Sequence, residues 1–227
     1  MSSGREQVLG ALRRALKRGG SDAVEVTEVD GRLSDHPRNL VPQRAQLPAA
    51  ERLDLFEAQA TSQAASLTRV AGPNQVPEAI ADYLKSQNLP ADLRLSPDPA
   101  LEGLPWERAP LLSHTSGPAR ESDTVSVTRA IAGIAETGTL MLQSGAEGAT
   151  TLNFLPETNV VVLSAEAVVS SYEDAWDLIR RQHGAGTMPR TVNFITGPSR
   201  TADIEQTIQL GAHGPRRLHI ILVESGS

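Results

Sequence analysis

Two almost continuously apolar stretches constrain the fold of this chain more than any other feature. Residues 160–163 are three valines and a leucine, and residues 218–223 are aliphatic except for His219. A strand with one solvated face alternates apolar and polar residues, whereas a strand covered on both faces does not. The two stretches therefore predict an α/β fold with a mainly parallel sheet flanked by helices.

Shorter patterns supply the rest of such a sheet. Apolar runs bounded by turn residues predict strands, and apolar residues at helical spacing predict helices. The predicted strands lie near residues 68–71, 93–95, 111–113, 124–128, 139–142, 159–163, 192–196 and 217–224. The predicted helices lie near residues 5–18, 49–66, 74–86 and 171–182.

The first 48 residues differ in texture from the rest. An amphipathic helix is predicted over residues 5–18, and it is followed by a polar stretch that contains three prolines, Pro37, Pro42 and Pro48. No period is sustained in that stretch, so it is interpreted as an extended arm. We expect residues 1–48 to form an N-terminal helix and arm, and residues 49–227 to form a single α/β domain.

Composition excludes several classes of function. Aromatic residues make up 3% of the chain and the formal net charge is −6, which argues against nucleic-acid binding. There is no cysteine, so the chain holds neither disulfides nor an iron–sulfur cluster through its own thiolates. The five histidines show no short ligand spacing, and no metal site is expected. No apolar run is long enough to span a membrane and no signal peptide is evident, so we expect a cytoplasmic protein.

Glu136 lies in the first of three segments that carry chemical information. It is followed by Thr137 and Gly138 and then by a predicted strand, so it is expected where the chain turns into the sheet. A carboxylate in such a place can act as a general base, a nucleophile or a substrate acceptor. Equally, it can be a turn residue that accepts backbone amides, beside a glycine that supplies backbone freedom.

The second segment, residues 194–205, predicts a strand, a loop and then a short helix. Free amides at such a junction favour an anion, and the Arg200 guanidinium suits a carboxylate or phosphate. The predicted anion-binding residues are Gly197, Ser199, Arg200 and Thr201. Alternatively, Ser199 is an ordinary helix cap and Arg200 pairs on the surface with Asp203 or Glu205. The loop lacks both the phosphate-binding and the dinucleotide-binding glycine patterns.

The third segment, residues 211–219, contains a glycine–proline turn before the last strand. His213 is expected to lie exposed beside that turn, where it can transfer protons near neutrality and is a catalytic candidate. It can also be a turn residue bonded to backbone. His219 lies within the apolar strand and is interpreted as a satisfied core or edge histidine.

Taken together, these segments resemble a known family. Residues 133–140 and 155–162, followed in order by residues 195–205 and 211–219, are similar to the lactate-utilization domain family. The resemblance is strong over about residues 120–224 and looser before them. It implies a fold similar to that of sugar-phosphate isomerases and CoA transferases, and a part in the oxidation of L-lactate to pyruvate.

The resemblance also implies partners. The redox centres of such a system would be iron–sulfur clusters on partner subunits, and this chain would be a non-redox subunit that binds no cofactor. It would bind lactate, pyruvate or another small anion at the Arg200 loop, or dock the iron–sulfur subunits there.

Two other functions remain open at this point. The chain can be an enzyme in its own right that acts on an acyl, CoA or phosphorylated metabolite, with Glu136 as base or nucleophile. It can also be an assembly factor whose N-terminal helix and arm reach another subunit.

Overall fold

The computed structural model describes residues 4–16, 23–184, 186–201, 209–211 and 213–224. The chain forms two compact units, residues 1–39 and residues 40–227. The smaller unit contains helices α1 (Gly4–Ala15) and α2 (Ala23–Asp35). Each helix carries exposed apolar side chains, among them Leu12 on α1 and Leu33 on α2. No helix within the described ranges is long and apolar enough to cross a membrane.

Helix α2 differs from the sequence-based expectation, because it lies within the segment predicted as an extended arm. Val26, Val29 and Leu33 are spaced as on one face of a helix, and the prolines begin only after the helix has ended. The helical spacing of these three apolar residues was missed in the sequence because the residues around them are mostly polar. The boundary of the compact units falls between Asn39 and Leu40, before the predicted boundary at residue 48.

In the residues that the structure describes, the larger unit has twelve strands and four further helices. The helices are α3 (Ala49–Ser62), α4 (Val76–Ser86), α5 (Pro99–Glu102) and α6 (Tyr172–His183). The strands of the main sheet are β1 (Ser66–Val70), β2 (Asp92–Leu95), β3 (Ser113–Ser116), β4 (Val125–Arg129), β7 (Thr158–Ser164) and β12 (Arg217–Val223). The other strands are β5 (Ala132–Ile134), β6 (Thr139–Gln143), β8 (Val168–Val169), β9 (Val192–Ile195), β10 (Arg200–Thr201) and β11 (Gln209–Leu210).

The main sheet has the order β1-β12-β7-β4-β2-β3, and every neighbouring pair is parallel. The two apolar stretches are its central strands β7 and β12. Along β7, Val160 and Val162 pack with α4 on one face, while Val161 and Leu163 pack with α3 on the other. Both faces are covered, which confirms the predicted α/β class and explains the lack of alternation.

A smaller sheet covers part of the α3 face. Its order is β8-β5-β6-β9, with β6 antiparallel to both of its neighbours. Leu140 of β6 packs toward the main sheet, while Met141 packs toward α6 with Ala175 and Ile179. The larger unit thus has four layers: α4, the main sheet, α3 with the smaller sheet, and α6. Strands β5 and β8 were missed in the sequence because two or three residues show no period.

His219 is the titratable side chain buried within β12. Its Nδ1 lies 2.8 Å from the Ser66 hydroxyl, and its ring stacks on Tyr83 with the ring centroids 3.7 Å apart. Its Nε2 is buried and has no hydrogen-bond partner among the described residues. The expectation of a satisfied core histidine therefore holds for one nitrogen only. Burial lowers the pKa of His219 to about 4 from an ordinary 6.5.

This burial predicts a loss of stability in mild acid. Above pH 6.5 the ring is neutral in both states, so it contributes no pH dependence. Between pH 6.5 and 4 the unfolded chain binds a proton that the folded chain does not, so stability falls, and below pH 4 the loss stops growing. The loss amounts to about 3 kcal/mol, measured as the free energy of unfolding in urea across this range.

The variant His219→Gln should show a flatter profile over the same range, because its side chain does not titrate. The matched control is His213→Gln, which changes an exposed histidine and should keep the parent's decline. If the parent and His219→Gln lose stability equally between pH 6.5 and 4, another group is responsible.

Candidate functional site

The three segments singled out in the sequence lie together in the fold. The Thr139 hydroxyl is 2.6 Å from the Thr196 hydroxyl, which joins the first segment to the second. The Ser199 amide donates to the Pro215 carbonyl at 2.8 Å, and the Gly211 amide donates to the Ser199 carbonyl at 3.0 Å, which joins the second segment to the third. We call residues 136–139, 196–201, 211 and 213–215 the motif cluster.

Helix α3 explains two of the glycines in this cluster, Gly138 and Gly197. A Cβ at Gly138 would lie 2.1 Å from the Ala60 amide nitrogen, and a Cβ at Gly197 would lie 2.1 Å from the Gln63 carbonyl oxygen. Both glycines also have positive φ, +66° and +72°. Only glycine combines that conformation with so close an approach of two backbones. The loops that contain Gly138 and Gly197 therefore both pack against the end of α3.

Glu136 lies in the turn between β5 and β6, as expected from the sequence. Its side chain is 12% exposed, and its Oε1 lies 3.5 Å from Nη2 of Arg44. Its amide donates to the Ser170 carbonyl at 3.1 Å. The carboxylate thus has a cationic partner within its own unit, an arrangement that ties the turn to the segment before α3.

Arg200 has a different setting from the one predicted. Residues Arg200–Thr201 form β10, which pairs antiparallel with β11, so no helix begins directly after Ser199. The Ser199 amide is already bonded to Pro215 and is not free for an anion. The predicted helix beyond residue 201, with Asp203 and Glu205, lies outside the described residues. Arg200 is exposed, and its Nη2 donates to Oε1 of Gln63 at 2.8 Å.

His213 is exposed beside the Gly214–Pro215 turn, where the sequence places it. A Cβ at Gly214 would lie 3.3 Å from the Ser199 side chain, so this turn packs directly on the second segment. The backbones of the three segments converge, while the side chains of Glu136 and Arg200 contact different partners, Arg44 and Gln63.

A cavity of about 320 Å³ lies elsewhere, at the carboxyl ends of β2 and β4. In open α/β sheets, ligands bind outside the carboxyl ends of the strands. The loop that follows β6 and the end of α6 complete its wall. The polar side chains in the wall include Ser96, Asp98, Arg129, Gln143, Asn153 and His183. We call this the carboxyl-edge cavity.

Strand β6 separates the two places. Thr139 at its start belongs to the motif cluster, and Gln143 at its end lines the carboxyl-edge cavity. Four residue steps along a strand span about 13 Å, so one small metabolite cannot contact both. The motif cluster and the cavity are therefore two distinct candidate sites.

The sequence interpretation missed the cavity, although a signal for it was present. Ser96 directly follows a strand predicted to end at residue 95, and Arg129 follows one predicted to end at residue 128. Applying the carboxyl-edge rule to those two strands would have indicated both positions. His183 and Asn153 carry no such signal, because they reach the cavity from elements distant in the chain. Within the described ranges, no group of three His, Cys, Asp or Glu residues is arranged to hold a metal ion.

The larger unit is an α/β domain with an all-parallel main sheet, a smaller sheet, and a motif cluster that packs on α3. Residues 113–223 match the family model of the LUD domain. The resemblance seen in the sequence is confirmed over the region where it was strongest.

Named relatives agree with this assignment. Lactate utilization protein C from Bacillus subtilis (strain 168) is 36% identical over 104 residues, which cover 45% of this chain and 43% of the relative. Lactate utilization protein C from Geobacillus kaustophilus (strain HTA426) is 35% identical over 115 residues, which cover 50% of this chain and 48% of the relative. The chain therefore spans less than half the length of these relatives.

A solved structure supports the fold. The crystal structure of a DUF162 family protein from Deinococcus radiodurans superposes with a TM-score of 0.56 and 24% sequence identity. The match covers 78% of this chain and 99% of that one. The likeness extends beyond the LUD match, and at this identity it describes the architecture alone.

The contact between α3 and the motif cluster predicts that Gly197→Ala is strongly destabilising. The added Cβ would collide with the Gln63 carbonyl in a backbone conformation that alanine disfavours. We expect a loss on the order of 3 kcal/mol in the free energy of unfolding, measured in urea. The control is Gly145→Ala, where a Cβ meets nothing within 4 Å, and it should stay within about 0.5 kcal/mol of the parent. Equal stability of the two variants would contradict this packing.

Proposed function

We propose that this chain is a non-redox component of a lactate-utilization system and that it binds a small organic anion at the motif cluster. The relatives named lactate utilization protein C support the biological setting. The shared segment contains the motif cluster, since the LUD match runs through residues 113–223.

The observation that carries the anion proposal is the state of the Arg200 guanidinium. It is exposed, and the hydrogen bond that the described residues give it goes to a neutral amide, Gln63. A guanidinium has five N–H donors, and the described residues engage only the Nη2 group of Arg200, so within that part of the chain the remaining donors are open to a carboxylate in a bidentate arrangement. Gln63 also restricts where the head group lies, which reduces the entropy lost on binding.

The side chains, rather than the backbone, would recognise the anion. The Ser199 amide is used within the fold, so a nest of free amides at a helix start is not the binding device. Arg200 supplies the charge, and the Ser199 hydroxyl is partly exposed on the same loop. A monocarboxylate such as lactate or pyruvate matches a single guanidinium.

Oxidation of lactate needs an electron acceptor that this chain does not supply through cysteine ligands. The sequence contains no cysteine, so iron–sulfur clusters of the system would belong to partner subunits. In this proposal the exposed loop around Arg200 faces such a partner, and the anion is bound where the two proteins meet. The enzymatic alternative that rests on Glu136 has no support from its pairing with Arg44.

Removal of the Arg200 charge tests the proposal. We expect Arg200→Gln to weaken L-lactate or pyruvate binding to the purified chain about tenfold or more, because a charge-assisted hydrogen bond is lost. Isothermal titration calorimetry measures the change. The same substitution should slow growth of the host on lactate as sole carbon source.

Arg181→Gln is the matched control, because Arg181 is an exposed arginine on α6 outside the motif cluster. It should leave both binding and growth unchanged. Unaltered binding and unaltered growth in Arg200→Gln would overturn the proposal. A midpoint of thermal unfolding equal to that of the parent would show that each variant is folded.

A further inference from the structure

The carboxyl-edge cavity carries a second inference, which goes beyond the proposed function and does not depend on it. We propose that this cavity is a binding site for a small hydroxylated monocarboxylate, whose carboxylate is held by Arg129 and whose hydroxyl groups are bound by side-chain amides.

Arg129 is held in place by a buried partner. Its Nε donates to Oδ2 of Asp98 at 2.5 Å, and the Asp98 side chain is only 7% exposed. The other oxygen of Asp98 accepts from the Ala100 amide at 2.9 Å, so both carboxylate oxygens are engaged. This support orients the guanidinium, while the described residues give its terminal Nη groups no hydrogen bond. Those groups remain available as a planar fork for one carboxylate.

Asn153 adds a buried amide to the wall of the cavity. It is 95% buried, with a relative exposure of 5%, and its side chain lines the cavity. An amide offers two donors and one acceptor, so it suits a hydroxyl group that both donates and accepts.

Gln143 adds a second amide to the wall. Its Oε1 lies 2.8 Å from Nε2 of His183, which fixes the orientation of the side chain. With its oxygen engaged by the ring, the Nε2 of Gln143 is a donor that can be offered to the cavity. Thr128, on the adjacent floor, donates to Oδ1 of the buried Asn159 at 3.1 Å. These two hydrogen bonds therefore fix the orientation of the Gln143 and Thr128 side chains.

The charges of the wall disfavour a ligand that carries two negative charges. Arg129 is balanced by Asp98, and the exposed Glu147 also belongs to the lining of the cavity. A dianion such as a phosphate ester would meet repulsion from Glu147, whereas one carboxylate can be satisfied by the Arg129 fork. The volume of about 320 Å³ corresponds to roughly ten water-sized positions, so it suits a body larger than lactate.

The test uses the full-length chain labelled with ¹⁵N and four probes: D-gluconate, L-lactate, inorganic phosphate and the neutral polyol xylitol. We expect D-gluconate to shift the amide resonances of residues 144–149 more strongly than the other probes do. Saturable shifts with phosphate or xylitol but not with gluconate would overturn the assigned chemistry. Absence of any saturable shift in residues 144–149 would overturn the site.

Three variants locate the binding. Arg129→Gln should weaken gluconate binding about tenfold or more, through loss of the charged fork. Arg129→Lys, which keeps the charge and lacks the fork, should retain part of the affinity and guards against a folding defect in the first variant. Glu147→Gln should tighten binding about twofold at low salt, because it removes a repelling carboxylate.

Arg200→Gln is the matched control, and it separates this proposal from the function proposed above. It should leave gluconate shifts at residues 144–149 unchanged, because β6 lies between the two sites. If Arg200→Gln abolishes those shifts while Arg129→Gln does not, the anion is bound at the motif cluster and the cavity proposal fails. If only the Arg129 variants respond, the cavity proposal stands whatever the fate of the motif cluster.

Discussion

The close approach of helix α3 to three glycines is the contact on which the larger unit depends. Gly133, Gly138 and Gly197 face Phe56, Ala60 and Gln63, which recur along one side of the helix and its end. A Cβ at any of the three would lie within 3 Å of α3 or its C-cap. Because the smaller sheet and both loops of the motif cluster dock on this helix, it connects the core to the candidate site.

The contacts with α3 and Arg44 distinguish residues of the motif cluster that have a structural explanation from those that do not. Gly138 and Gly197 are explained by packing and backbone conformation, and Glu136 is paired with Arg44. Arg200 has no such structural explanation among the described residues, since its bond to Gln63 leaves most of its donors free. Within one short motif, therefore, the two glycines have a packing explanation, whereas the described residues use only part of the Arg200 guanidinium.

The two candidate sites differ in how the fold supports them. The motif cluster lies near the amino ends of β1 and β12 and presents an exposed arginine on a loop. The carboxyl-edge cavity is concave, and a buried carboxylate holds its arginine. Concave, supported sites suit small ligands, while exposed loops suit partner surfaces. The motif cluster therefore suits an anion that is held where a partner surface meets the chain, and the carboxyl-edge cavity suits a ligand that this chain encloses by itself.

Much of the fold was predictable, because the apolar runs of β7 and β12 and the helical period of α4 and α6 are local signals. The three motif segments were identified in the sequence for the same reason. Tertiary structure decided four features: the convergence of these segments, the pairing of Glu136 with Arg44, the strand in place of a helix at Arg200, and the whole carboxyl-edge cavity. Residues far apart in the chain, such as Asp98, Gln143 and His183, meet only after the sheets have packed, and no local period encodes that meeting.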